Sequence, residues 1–172
     1  MIRLVKTIYL LFTGLLISTL SATAQDVESR TYSIMLSGLL SRNVPEADVS
    51  EIAKDTSNLV FLDAREKSEF EVSHIKNAVW IGYDDFNLSR VEDIPKDAQV
   101  VVYCSVGYRS EKVTKKLQEA GFTSVRNLYG GLFEWINQDN IIVGPSNANT
   151  TKVHAFDKFW GVWLQKGEKV YD

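Results

Sequence analysis

The chain has 172 residues, 45% of them hydrophobic, and carries a formal net charge of −3 from 19 basic and 22 acidic residues. That length and apolar content suit one globular domain with its own core and exclude a disordered chain. The mild acidity, with no basic stripe, gives nucleic acid no footing, and a single cysteine excludes an internal disulfide.

Arg3 and Lys6 precede an apolar run over 7–20, and Ala22-Thr23-Ala24 follows as a small-residue cleavage site. This layout predicts a secretory signal peptide over 1–24, with Gln25 as the first mature residue. The 14-residue run is shorter than the roughly 20 residues a spanning helix needs. The expected product is therefore exported, periplasmic or extracellular, with no stable membrane insertion. Cleavage removes Arg3 and Lys6 and no acidic residue, moving the net charge from −3 to −5.

Residues 25–44 read as a helical lead-in, with a helix over 27–40 carrying Ile34, Met35, Leu39 and Leu40, and a breaker ending in Pro45. A second short helix is predicted over 46–55, because proline suits a helix start. Strands and helices then alternate. Strands are expected over 58–62, 78–81, 99–103 and 124–128. Between and after them come a helical turn over 66–72 and helices over 84–91, 110–120 and 132–138. This alternation predicts an α/β fold with a mainly parallel central sheet flanked by helices. Sites in such sheets gather at the carboxyl ends of strands, where Asp63 and Cys104 fall. The Gly-Pro-Ser-Asn stretch over 141–151 reads as a linker. The 153–171 tail holds Phe156, Phe159, Trp160, Val162, Trp163 and Leu164, too many apolar groups for a solvated tail, and is expected to pack back on the domain, with a partner-binding patch as the alternative.

The chemistry concentrates in Tyr103-Cys104-Ser105-Val106-Gly107-Tyr108-Arg109-Ser110. Cys104 follows a buried strand and precedes a helix whose apolar positions are Val113, Leu117 and Ala120. Backbone N–H groups at a helix start make an anion cradle, and Arg109 adds positive charge. A thiolate is favoured there, so the cysteine is expected to be reactive. Lys112, Lys115 and Lys116 read as a solvated helix face. His74 and His154, with one cysteine, give no metal-ligand spacing, so no metal is expected.

Four segments in this order resemble the rhodanese-type sulfurtransferase family. They are Leu62-Asp63-Ala64-Arg65-Glu66, then Glu69-Phe70 with His74-Ile75 and Ala78-Val79, then the cysteine loop, then Gly130-Gly131-Leu132-Phe133-Glu134-Trp135. The likeness spans 45–138 and places a rhodanese-like domain at 45–140, with linker and aromatic tail at 141–172. Two positions depart from the pattern: Ser73 and Asn77 stand where the family usually has glycine.

The resemblance implies a three-layer fold in which Cys104 is the nucleophile and persulfide carrier and Arg109 closes the loop. It makes Ser105, Val106, Gly107, Tyr108 and Ser110 the cradle, with Asp63, Arg65 and His74 in support. It also implies no cofactor, a small sulfane donor such as thiosulfate, a polysulfide or a persulfide, and an acceptor such as cyanide, a thiol or a protein. Two alternatives stand beside this reading. Family members also serve as non-catalytic binding or regulatory modules, commonly without the cysteine. Cysteine phosphatases have a similar loop, but with five residues between cysteine and arginine; here there are four.

Overall fold

In the computed structural model, which describes residues 29–171, alternate side chains of the central strands enter two different cores. Strand β2 (Leu59–Asp63) sends Phe61 to one side and Leu62 to the other; β4 (Gln99–Tyr103) sends Val101 and Tyr103 one way and Val100 and Val102 the other. A strand's two-residue period makes this division automatic once both faces are covered. With β1 (Glu46–Ala47), β3 (Val79–Trp80) and β5 (Val125–Leu128), they form a five-stranded sheet of order β1-β5-β4-β2-β3 in which every pair is parallel.

One face is covered by helix α4 (Tyr108–Glu119), through Val113 and Leu117, and by Val91 of a 3-10 turn (Leu88–Val91). The other face meets α1 (Arg30–Leu39) through Tyr32 and Leu36, α2 (Val49–Ile52), and α5 (Gly131–Asn137) through Leu132, Phe133 and Trp135. Helix α3 (Lys67–Val72) follows β2 and opens with a capping box between Glu66 and Glu69. The result is the three-layer α/β architecture with a parallel central sheet.

Three local expectations need correction. Residues 46–55 are not one helix: Glu46 and Ala47 pair with Asn127 and Leu128 of β5, and only the four residues of α2 follow. The open edge of β5 outweighs the helix signal of Pro45. The 84–91 helix shrinks to the 3-10 turn, because Asn87 caps at Ser89 N–H (2.9 Å) and Arg90 reaches back to the carbonyls of Ile81 and Asp85. The 141–151 stretch is a hairpin, β6 (Ile142–Val143) against β7 (Asn149–Thr150), with Val143 also bridging to His74.

The two glycine replacements have simple geometry. Asn77 adopts φ 63°, in the left-handed region that asparagine tolerates. Ser73 lies at φ −169°, extended backbone open to any residue, so glycine is not needed there. Beyond the hairpin, β8 (Lys152–His154) and β9 (Glu168–Val170) pair in parallel, and a second 3-10 turn (Trp160–Trp163) lies between them. Val153, Ala155 and Leu164 of this C-terminal arm are buried in the same core as α1 and α5. Trp163 stacks on Tyr32, and Asn137 clamps the arm through Trp163 O and Gln165 N–H at 3.0 and 2.8 Å. The signal-peptide expectation over 1–24 lies outside the described residues.

Candidate active site

Cys104 sits just past the carboxyl end of β4, and α4 begins at Tyr108, two residues before its predicted start. Arg109 and Ser110 therefore belong to the helix's first turn, whose N–H groups have no partner within the helix. Gly107, the N-cap, has φ 107°, a conformation that strains any other residue, and its N–H donates to Cys104 Sγ at 3.2 Å. The start of α5 fixes the outer side of the loop. Leu132 N–H donates to Cys104 O (2.8 Å) and Phe133 N–H to Ser105 O (3.0 Å). Gly131 allows this approach, since a Cβ there would come within 2.5 Å of Cys104 O. Asn127 of β5 completes the setting by donating to Gly107 O (3.1 Å) and accepting from Ser110 Oγ (2.7 Å).

Below the loop lie two ion pairs. Asp63 and Arg65 are completely buried and joined at 2.6 Å; the same Arg65 Nη2 donates to Ser73 O at 2.6 Å. Arg109 forms a two-pronged pair with Glu69 at 2.5 and 2.8 Å, and its Nη2 also donates to Ser105 Oγ at 3.0 Å. Ser105 Oγ in turn donates to Glu69 Oε1 at 3.1 Å. Burial pushes the Glu69 carboxyl up, but the hydrogen bonds and charge of Arg109, helped by Arg65, outweigh it and hold Glu69 below the usual carboxylate range. Burial pulls Arg109 down, yet Glu69 and the Cys104 sulfur more than compensate, and the guanidinium stays charged.

Above the loop is a cavity of about 230 Å³ lined by Cys104, Ser105, Val106, Tyr108, Arg109, Phe156 and Trp160. Phe156 and Trp160 come from the C-terminal arm, and the Phe156 ring lies 5.2 Å from the Arg109 guanidinium. Cys104 itself is only 1% exposed, at the base of the cavity.

His74 is elsewhere. Its Nδ1 is 3.0 Å from Phe70 O, its ring stacks on Phe70, and its backbone exchanges two hydrogen bonds with Val143. These contacts tie α3 to the hairpin and give it no reach into the cavity lining.

The profile of the rhodanese-like domain family matches residues 47–138, more than half of the chain. The chain belongs to that family. Over 98 residues it is 36% identical to a tRNA uridine(34) hydroxylase from Salmonella newport, covering 52% of this chain and 27% of that protein. A Citrobacter koseri protein of the same name is 32% identical over 119 residues, covering 59% and 33%. The chain thus spans about a quarter to a third of the length of these curated relatives. Among solved structures, the rhodanese-like domain of an Anabaena protein matches with a TM-score of 0.53 at 25% identity, covering 58% of this chain and 79% of that one. A Bacillus halodurans protein shares the fold at TM-score 0.55 and 21% identity, covering 69% and 88%.

Within this rhodanese-like domain, Cys104, Ser105, Val106, Tyr108 and Arg109 face one cavity, Gly107 touches the sulfur, and Ser110 braces the loop from the helix side. Asp63 and Arg65 lie beneath and do not line it. Sequence reasoning assigned no site role to Glu69, Asn127, Phe156 or Trp160. For Glu69, an acidic residue at the third position of a short helix reads as a capping box, which it is; its second task, holding Arg109 forty positions away, leaves no local signal.

Proposed function

We propose that this rhodanese-like domain is a sulfurtransferase that carries sulfane sulfur on Cys104. The observation that carries the reading is the Gly107 N–H on Sγ in a loop whose outer carbonyls are already taken by α5. Such a loop presents donors inward, where a thiolate, a transition state with charge on sulfur, and a persulfide are all stabilised. The Cys104 thiolate attacks the outer sulfur of a donor, the donor's S–S bond breaks, and the electron pair leaves with the remainder of the donor. An acceptor nucleophile then takes the outer sulfur of Cys104-S-S⁻ and returns the thiolate. Arg109, clamped by Glu69 and Ser105, keeps the loop shut and contributes a partly neutralised positive charge. Asp63, the last residue of β2, and Arg65, between β2 and α3, act as positioning residues beneath the loop. From the tRNA uridine(34) hydroxylases this proposal takes only the shared domain, and their tRNA chemistry is not carried over.

The test is sulfur loading read by intact mass. Incubation with a panel of sulfane donors should add one sulfur to the protein, cyanide should remove it as thiocyanate, and Cys104→Ser should abolish both steps. Protein that takes no sulfur from any donor would overturn the reading in favour of a binding module. We also propose export, with the mature chain starting at Gln25; amino-terminal sequencing of native protein that begins at Met1 would contradict it.

A further inference from the structure

The family match ends at residue 138, yet two walls of the cavity over Cys104 come from beyond it. Phe156 stands at φ 66°, in the left-handed region, where a bulky side chain costs roughly 1–2 kcal/mol. Phe156 remains 46% exposed, so the burial of its other half only offsets that strain and leaves no net gain in stability. The conformation is held locally: Phe156 N–H donates to Nδ1 of buried His154 at 3.2 Å, and Trp160 N–H donates to Asp157 Oδ1 at 2.9 Å, closing the turn between the two aromatics. What the strained turn achieves is placement, setting one ring over Arg109 and an indole in the lining of the same cavity.

Charge points the same way. Among the described residues Arg109 is the single cation lining the cavity, and its guanidinium is already occupied by both oxygens of Glu69 and by Ser105 Oγ. A compact dianion entering this space gives up water without a free cation to meet it, a costly exchange. An apolar body gains contact with Phe156, Trp160, Tyr108 and Val106.

Building on the sulfurtransferase reading, we propose that the C-terminal arm makes this site selective for organic sulfane donors, in which the transferable sulfur is attached to an apolar, preferably aromatic, group bearing at most one negative charge. The volume of about 230 Å³ is below the roughly 300–1,000 Å³ of pockets for drug-sized ligands, which fits a single ring with its sulfur head. With an aromatic thiosulfonate, Ar-SO₂-S⁻, the Cys104 thiolate bonds to the terminal sulfur, the S–S bond breaks, and Ar-SO₂⁻ leaves with the electron pair. Two negative charges enter and two leave, and no oxidant is needed.

The experiment compares benzenethiosulfonate with methanethiosulfonate, which share head group and charge and differ in the apolar body, with thiosulfate as the dianion. For wild-type protein, kcat/KM should fall in the order benzene, methane, thiosulfate, with a benzene-to-methane ratio of about tenfold or more, the scale of a ring held between aromatic walls. Phe156→Ala and, separately, Trp160→Ala should each cut that ratio at least about threefold, while Val162→Ala, on the same turn but outside the cavity, should leave it unchanged. A ratio near one in wild type, a preference for thiosulfate, or an unaltered ratio in both aromatic variants would overturn the proposal. Binding to the unreactive Cys104→Ser variant separates this inference from the reaction itself. Benzenethiosulfonate should quench tryptophan fluorescence at concentrations about tenfold lower than thiosulfate requires. Equal affinities would defeat the aromatic wall even if sulfur transfer holds. Tight aromatic binding without any sulfur loading of wild type would defeat the reaction and spare the wall.

Discussion

The floor and the roof of the cavity are built by opposite means. Beneath Cys104, Asp63 and Arg65 are wholly buried, Glu69 and Arg109 are locked together, and the loop's outer carbonyls are held by α5; each group is fixed by several partners. Over it, Phe156 is 46% exposed and Trp160 is half-buried, the two joined by one short turn. A buried polar network allows little variation, because removing one member strands another. An apolar roof at the surface can be altered ring by ring. The proposed chemistry thus falls to the part fixed by many partners and the proposed selectivity to the replaceable one.

The most severe way to break the floor is Asp63→Ala, which leaves Arg65 buried and uncompensated. The expected loss is about 3–5 kcal/mol of folding stability, read as a lower urea midpoint. A change near zero would mean that water reaches Arg65 and that the floor is not dry.

Glu69→Gln should have the next largest effect and links the two regions. It frees the positive charge of Arg109 at nearly constant side-chain size. Stability should fall by about 1–3 kcal/mol at neutral pH, and use of thiosulfate should rise relative to benzenethiosulfonate. The Glu69 pKa is depressed in the folded state, so its contribution is fully present at neutral pH and is lost as pH falls through the folded value. The melting difference between wild type and variant should therefore shrink steadily below about pH 4, the range where an ordinary carboxylate takes up its proton. A difference constant down to pH 2 would contradict the charged pair.

On the roof the effect on stability should be small and can be of opposite sign. Phe156→Gly relieves the left-handed strain while losing a half-exposed ring, so thermal unfolding should stay within about 0.5 kcal/mol of wild type or rise slightly. A large loss would make Phe156 part of the core and remove the contrast between the two regions.

Much of the floor could be read from the chain. A buried strand, Val100 to Tyr103, leading into a glycine-bearing loop and an amphipathic helix put Cys104 at a strand's carboxyl end, and local pattern was enough for that. Local pattern failed where distant pairing decides. Glu46 and Ala47 became a strand because β5 offered an edge, and the supposed linker at 141–151 became a hairpin joined to His74. Ser73 drew attention only because glycine is usual there, whereas its extended backbone makes no demand for it. The roof was legible only as an aromatic tail. Periodicity cannot tell which face of a domain a returning segment will cover, so Phe156 and Trp160 could be expected to pack but not to meet Cys104.

The central claim, that the folded loop makes Cys104 a sulfur carrier, is tested most directly by the rate of sulfur loading in native and urea-unfolded protein under otherwise matched single-turnover conditions, followed by intact mass. The account predicts loading on the order of a hundredfold faster in the native protein, the scale associated with one well-placed backbone donor at a developing charge. Equal rates, or faster loading of the unfolded chain, would show that the loop merely shields the thiol and would contradict it.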